Sequence, residues 1–262
     1  MSMRKGGWLV ASLWAVQGLA GTSWAADIPA KACANPVFLT VDPGNMDFAP
    51  RIAEVLRRQQ VKVTFWISNL PTKNGEGSLG NQWASWWPVV AGQGHEFASQ
   101  TFDHVVWRSD LPGYKTAFRM KPVAGAYAGR EFSFDPPKYC EQIEHAARRI
   151  EDFTGKKSLP LFHAPGGSTS PKLLSVAGAC GYAHVGLARA GLLAGGLQSK
   201  AALAEIRSGD VLMADLNTPA GTEPWAIANL EPLIAGLKQR GLCFDTLRNH
   251  PAYKDWISSR GG

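Results

Sequence analysis

The chain has 262 residues, with 27 Lys and Arg against 21 Asp and Glu, giving a net charge of +6 at neutral pH. A hydrophobic fraction of 45% with only 18% charged residues excludes a disordered or low-complexity chain and supplies enough apolar surface for a core. The length suits one large domain, because α/β barrels run to about 250 residues as a single unit.

Arg4 and Lys5 precede a mostly apolar stretch over residues 8–21, and Ser23 and Ala25 then flank Trp24. A positive start, an apolar run and small residues three and one before a cut predict a secretory signal over residues 1–25. The run is interrupted by Gln17 and is shorter than the roughly 20 residues a bilayer span needs, so no transmembrane anchor is expected. The protein is expected to be exported, to the periplasm or beyond, as a domain over residues 26–262. Cleavage would leave 262 − 25 = 237 residues with charge 6 − 2 = +4. Those charges are scattered along the chain without a basic stripe, and a nucleic-acid partner is not expected. Cys33, Cys140, Cys180 and Cys243 allow two disulfides in three connectivities. Cys180 and Cys243 sit in apolar segments and also read as buried thiols. The absence of a Cys-x-x-Cys pair argues against structural zinc.

In chain order, residues 36–41 form a β-rich apolar run that ends in Asp42-Pro43-Gly44. Helical spacing of Phe48, Ile52, Val55 and Leu56 follows. A second strand covers 61–67, a loop rich in Gly, Asn and Lys leads into residues 83–91, and a third strand covers 96–99. Residues 108–137 read as one long irregular stretch. A helix over 138–153 ends at Gly155, a C-cap. Then come a strand over 159–162, a helix over 171–180 closed by Gly181, and a strand over 183–187. A helical stretch over 201–207, a strand over 210–215, a helix over 225–240 and a strand over 242–247 complete the chain. Strands alternate with helices about seven times, so the expected class is α/β, a barrel-like parallel sheet with helices outside. Polar residues at strand ends, Asp42, Asn69, Gln100 to His104, His163 and Asp215, fall where such barrels carry their sites.

Five segments in this order carry a resemblance. They are Thr40-Val41-Asp42-Pro43-Gly44, Val63-Thr64-Phe65-Trp66-Ile67, Gly94-His95-Glu96-Phe97 through Thr101-Phe102-Asp103-His104, Phe162-His163-Ala164-Pro165-Gly166-Gly167, and Gly209-Asp210-Val211-Leu212-Met213-Ala214-Asp215. From Val37 to Leu247 the chain resembles the polysaccharide deacetylases of the NodB-homology class, carbohydrate esterase family 4. The resemblance implies a distorted (β/α)7 barrel that removes acetyl groups from N- or O-acetylated sugars with a zinc-like divalent metal. The implied partner is an acetylated polysaccharide or peptidoglycan-like glycan.

In that family one Asp and two His hold the metal, a neighbouring Asp takes a proton from the bound water, and a His protonates the leaving group. Matched motif by motif, Asp42 takes the base position, and Pro43 stands where the ligand Asp belongs. Gln100 stands where the first imidazole belongs, and His104 is the remaining metal ligand. His163 replaces the arginine of the third motif, and Asp215 takes the position of the acidic His. The resemblance thus implies catalytic roles for Asp42, His163 and Asp215, and sugar contacts for Gln100, Trp107, Pro165 and Gly166. Two outcomes are implied: hydrolysis of sugar acetyl groups, reduced or lost with the ligands, or a non-catalytic glycan-binding pseudoenzyme.

Read as residues alone, Asp42 also fits a turn or helix cap. His104 also fits a hydrogen-bonded structural imidazole, and His95 fits that role better still. His163 and Asp215 invite a pairing that would fix the imidazole tautomer. Trp83, Trp86, Trp87 and Trp107 fall near strand-end loops, where indoles pack on sugar rings, although Trp83 and Trp87 at i,i+4 also suit a core. Ser168 and Ser170 lack a nucleophile elbow, and Gly166-Gly167 lacks the Lys of a phosphate loop.

Overall fold

A computed structural model describes residues 33–113, 116–188, 191–193, 204–218 and 221–261, together with Met1 and Met3. Apart from Met1 and Met3 the predicted signal falls outside the described residues, as do residues 201–203 of the helix expected over 201–207, of which Ala204 is helical while 205–207 form a turn and an irregular segment. Every element below lies in the unit Cys33–Gly262. Among the described residues no helix is long and apolar enough to cross a membrane.

Strand β1 (Pro36–Asp42) shows how the sheet is built. Its odd residues, Val37, Leu39 and Val41, face one core cluster; Phe38 faces another, and Thr40 and Asp42 share its side. That period of two needs apolar cover on both sides, and the parallel sheet supplies it. β2 (Thr64–Ile67), β3 (Glu96–Ser99), β7 (Leu161–Phe162), β8 (Ala183–His184), β9 (Leu192–Leu193) and β10 (Val211–Asp215) complete the sheet in the order β8-β7-β3-β2-β1-β10-β9, all parallel. β11 (Cys243–Phe244) pairs with the first two residues of β1. Among the described residues β8 and β9 do not pair, so the curled sheet is an open barrel, the distorted form expected.

Helices cover the outer face. α1 (Ala49–Arg58), α2 (Trp86–Gly92), α3 (Pro136–Thr154) and α5 (Trp225–Gln239) bury Ile52, Leu56, Trp87, Ile150 and Leu230 in the cluster that holds the odd residues of β1. The inner cluster, with Phe38, Trp66, Ala98, Leu161 and Met213, fills the barrel; Leu247 and Ile257, the latter on the short helix α6 (Lys254–Ser258), belong to it too. Asp135 caps α3 by accepting the Lys138 N–H at 3.0 Å, and Gly155 ends it at φ 65°, as the sequence suggested.

The stretch expected to be irregular is largely an antiparallel sheet of β4 (Val105–Asp110), β5 (Phe118–Pro122) and β6 (Phe132–Phe134). Phe118, Met120 and Phe134 face inward and join Tyr139 of α3 and Phe162 in a third cluster. The alternation in Phe118-Arg119-Met120-Lys121-Pro122 carried the signal, but three short strands broken by Gly and Pro mimic a loop.

The cysteines pair as Cys33–Cys243 and Cys140–Cys180, so neither Cys180 nor Cys243 is a buried thiol. The first bond ties the start of the unit to β11, and the second joins α3 to α4 (Pro171–Ala179).

Ser170 couples two of these layers. Its hydroxyl accepts the Leu173 N–H at 3.1 Å, capping α4, and donates to Asp110 of β4 at 2.7 Å. Ser170→Ala is expected to cost about 1 kcal/mol, a loss of roughly 2–4 °C in melting temperature, measurable by circular dichroism.

Candidate functional site

Strand parity sets the site. Phe38, Thr40 and Asp42 point into the barrel from β1, as do Val211, Met213 and Asp215 from β10. Ala98 and then Gln100 do so at β3, and Leu161 and then His163 at β7. One layer down, Thr40 donates to the Leu212 carbonyl and accepts the Trp66 indole N–H, both at 2.8 Å, which closes the floor. The next layer up is polar and opens at the C-terminal ends of the strands. Asp42, Gln100, His104, His163, Gly166 and Asp215 thus line one cavity of about 340 Å³, walled by apolar side chains such as Leu70, Val123, Leu187 and Met213.

Asp42 is 1% exposed. Its carboxylate accepts the Gly44 N–H at 3.0 Å and the Asn217 amide at 2.8 Å. Asp215 is its register partner on the adjacent strand and accepts the Asn217 N–H at 2.8 Å. Burial raises both carboxyls to about 6. For Asp42 the Gly44, Gln100 and Asn217 donors oppose that rise; for Asp215 the charge of Asp42 adds to it. The His104 Nε2 lies 3.9 Å from Asp42, and burial lowers this imidazole to about 4, so it is neutral at physiological pH. Neither ring nitrogen of His104 nor Oε1 of Gln100 has a hydrogen-bond partner among the described residues. Buried polar atoms without partners are costly, and here they face a cavity.

The turns that carry these groups are strained. Thr101 and His104 both adopt positive φ, 64° and 50°. L-residues adopt this region uncommonly, and two such residues in one turn at the cavity are consistent with a site. The Thr101 hydroxyl holds the turn by accepting the Val105 N–H at 2.7 Å. Gly44, at φ 58°, has no room for a side chain, since a Cβ would come within 2.8 Å of Asn217 Oδ1.

Several expectations need correction. His163 does not pair with Asp215. Its Nδ1 donates to the Val185 carbonyl at 2.8 Å, and its ring stacks near His184 at 5.7 Å. Burial lowers its pKa. Trp107 lies on β4, packs against the third cluster and donates to Asp110; it does not line the cavity. Pro165 is buried in the turn, and Gly166 beside it forms the wall. Trp83, Trp86 and Trp87 pack edge to face with one another and belong to the outer core. His95 is structural, the role the sequence favours for it, and accepts the Val63 N–H. Asn217 was missed; only its place two residues past Asp215 marked it.

A divalent metal does not fit the donors present. Pro43 offers no ligand atom, and the Gln100 amide oxygen is a poor substitute for imidazole. Among the described residues no group of three His, Cys, Asp or Glu side chains is placed to hold an ion. The nearby carboxylates are engaged elsewhere, Asp47 with Lys73 at 2.8 Å and Asp103 with Gln142 at 3.0 Å. His104, expected as a ligand, has the Asp42 carboxylate 3.9 Å from its Nε2 but no third donor of these types to complete a site among the described residues.

This scaffold, with polar side chains at the barrel mouth, matches a known class. The family model for polysaccharide deacetylase matches residues 30–185, more than half of the chain, which therefore belongs to that family. A carbohydrate esterase family 4 pseudoenzyme from Bacillus anthracis superposes with TM-score 0.58 at 16% identity, covering 82% of this chain and 65% of that one. A peptidoglycan N-acetylglucosamine deacetylase gives 0.59 at 18%, covering 82% and 87%. A family 4 acetyl xylan esterase from Clostridium thermocellum, solved with a cobalt ion, gives 0.57 at 19%, covering 86% and 91%. At such identities these likenesses establish the fold. No curated protein sequence matches the chain.

Proposed function

We propose that this chain is a glycan-binding member of the family that has lost metal-dependent deacetylation. In this reading it is exported by the signal over residues 1–25 and holds an acetylated sugar of a polysaccharide or peptidoglycan-like glycan in the barrel mouth. The observation that carries the reading is the donor set: Pro43 and Gln100 leave His104 as a solitary ligand, while the cavity itself is kept. An acetamido group has one N–H and one carbonyl. The unpartnered Gln100 Oε1 suits the first, and an N–H of the neutral His104 suits the second. Asp42, Asp215 and His163 then serve as hydrogen-bonding groups for sugar hydroxyls, and Gly166 lets the ring approach the backbone. Solved relatives include enzymes named for acetylated glycans and a pseudoenzyme of which a mutant has restored activity, so both outcomes occur on this fold.

Calorimetry with oligosaccharides of N-acetylglucosamine, with and without EDTA, tests the reading alongside an acetate-release assay. Binding unchanged by the chelator, with acetate at the blank level, is the expected result. Stoichiometric zinc with chelator-sensitive acetate release would sink it.

A further inference from the structure

Half of the chain's net charge falls in one segment, and the fold gives part of it a common direction. Residues 105–138 hold six Lys and Arg against three Asp and Glu, 6 − 3 = +3 of the chain's +6. The β4–β6 sheet buries one face, Arg119 and Lys121 of β5 project from the other, and Arg108 of β4 shares Glu131 with Arg119. On β5 the outward residues are Arg119 and Lys121, and the next position of the same period is Val123, which lines the cavity and is 47% exposed. At about 3.4 Å per residue, Lys121 stands about 7 Å and Arg119 about 14 Å from the cavity wall along a straight line. Val106 is the cross-strand partner of Lys121, and its Cγ1 lies 3.9 Å from where a Cβ on the cavity-lining Gly166 would be. The row therefore leads into the cavity rim.

These cations are available. Lys121 has no ion-pair partner among the described residues. Arg108 and Arg119 share Glu131, at 3.5 and 3.6 Å, so one carboxylate serves two guanidinium groups. All three are half-exposed, and such pairs exchange readily for another anion. The cavity has the opposite character: among the described residues its lining includes Asp42 and Asp215 and no Lys or Arg. A carboxylate on the sugar inside it would be repelled.

We propose that the outer face of β5 is a subsite for the carboxylates of an acidic acetylated glycan, whose neutral acetylated residue occupies the cavity while a neighbouring uronate lies on Lys121 and Arg119. This rests on the glycan-binding reading above and specifies its ligand as a chain in which neutral acetylated and acidic residues adjoin.

The test compares an N-acetylglucosamine tetrasaccharide with an oligosaccharide alternating N-acetylglucosamine and glucuronate. In roughly 20 mM salt the alternating ligand is expected to bind about 10-fold tighter, an advantage that disappears near 0.5 M salt. Arg119→Gln/Lys121→Gln should remove that advantage and keep the neutral affinity within about twofold, which also shows that the variant is folded. Equal affinity of the unaltered protein for the two ligands overturns the subsite alone. Failure to bind either overturns the glycan reading with it. A polyglutamate peptide that binds as tightly as the alternating ligand overturns the specificity for glycan.

Discussion

A Pro43→Asp/Gln100→His variant is expected to retain one zinc ion per chain through dialysis, whereas the unaltered protein retains none. The two substitutions supply an Asp and a His at the positions where the family carries ligands, and neither nitrogen of the remaining imidazole has a hydrogen-bond partner among the described residues. Together with His104 they make the one-carboxylate, two-imidazole set that suits a catalytic metal with an open position. The backbone around both sites is set by neighbours that stay in place. The Gly44 N–H still closes on Asp42, and the Thr101 hydroxyl still holds the turn before His104. Outer-shell changes at metal sites cost about 10–100-fold in affinity, so supplying two missing ligands should gain more than that. Without metal, the variant pays for a new buried carboxylate and for the lost proline rigidity, so its melting temperature should fall and then recover on zinc addition. Each single substitution leaves two ligands and should bind distinctly more weakly. Metal analysis and a zinc titration of the melting temperature read these outcomes. A double variant that takes up no zinc would mean that Pro43 and Gln100 do not stand at the ligand positions.

The layered sheet was legible because each strand carries its parity in sequence: Phe38, Thr40 and Asp42 alternate with Val37, Leu39 and Val41 whatever the partner strands are. That parity, with the loop positions of His104 and Gly166, was enough to gather six of the eight proposed site residues. Lateral order was not legible, and it decided the pairings. β10 lies beside β1, so Asp215 meets Asp42; β7 is separated from β10 by β3, β2 and β1, and its His163 turns to Val185 instead. The same limit applied to the cysteines, whose pairing depends on the approach of α4 to α3 and of β11 to residue 33. The tryptophans misled for another reason. Indoles near strand ends suit a sugar or a helix–sheet core equally, and only the packing of α2 against Phe65 and Phe97 separates these uses. Charge was the least legible property, since Arg119 and Lys121 acquire a common direction only once β5 pairs.

Asp215→Asn should stabilise the protein, by an amount that depends on pH with a definite sign. Asp42 is buried and Asp215 half-buried on adjacent strands, and both carboxyls are raised to about 6 from their ordinary value near 3.8. Between those pH values the folded state holds more protons than the unfolded one. The stability this linkage provides is complete below about 4 and is lost as pH rises through about 6. His104 acts in the opposite sense. Lowered from 6.5 to about 4, it takes stability away as pH falls through that window. In the unaltered protein the two slopes oppose one another between about 4 and 6. Asparagine at 215 keeps the oxygen that accepts the Asn217 N–H and removes one of the two like charges, so the remaining Asp42 and His104 slopes should nearly cancel between about 4 and 6. At pH 8 the expected gain is on the order of 2 kcal/mol, or several degrees, shrinking towards pH 4 and level above about pH 6. Asp42→Asn is a poorer substitution, because the amide would turn donors toward the Gly44 N–H or the Asn217 amide. Urea unfolding of both proteins from pH 4 to 8 measures the difference. A difference that stays constant with pH would mean that the two carboxyls do not share the barrel mouth as a repelling pair, and the balance of charge drawn for the cavity would fail with it.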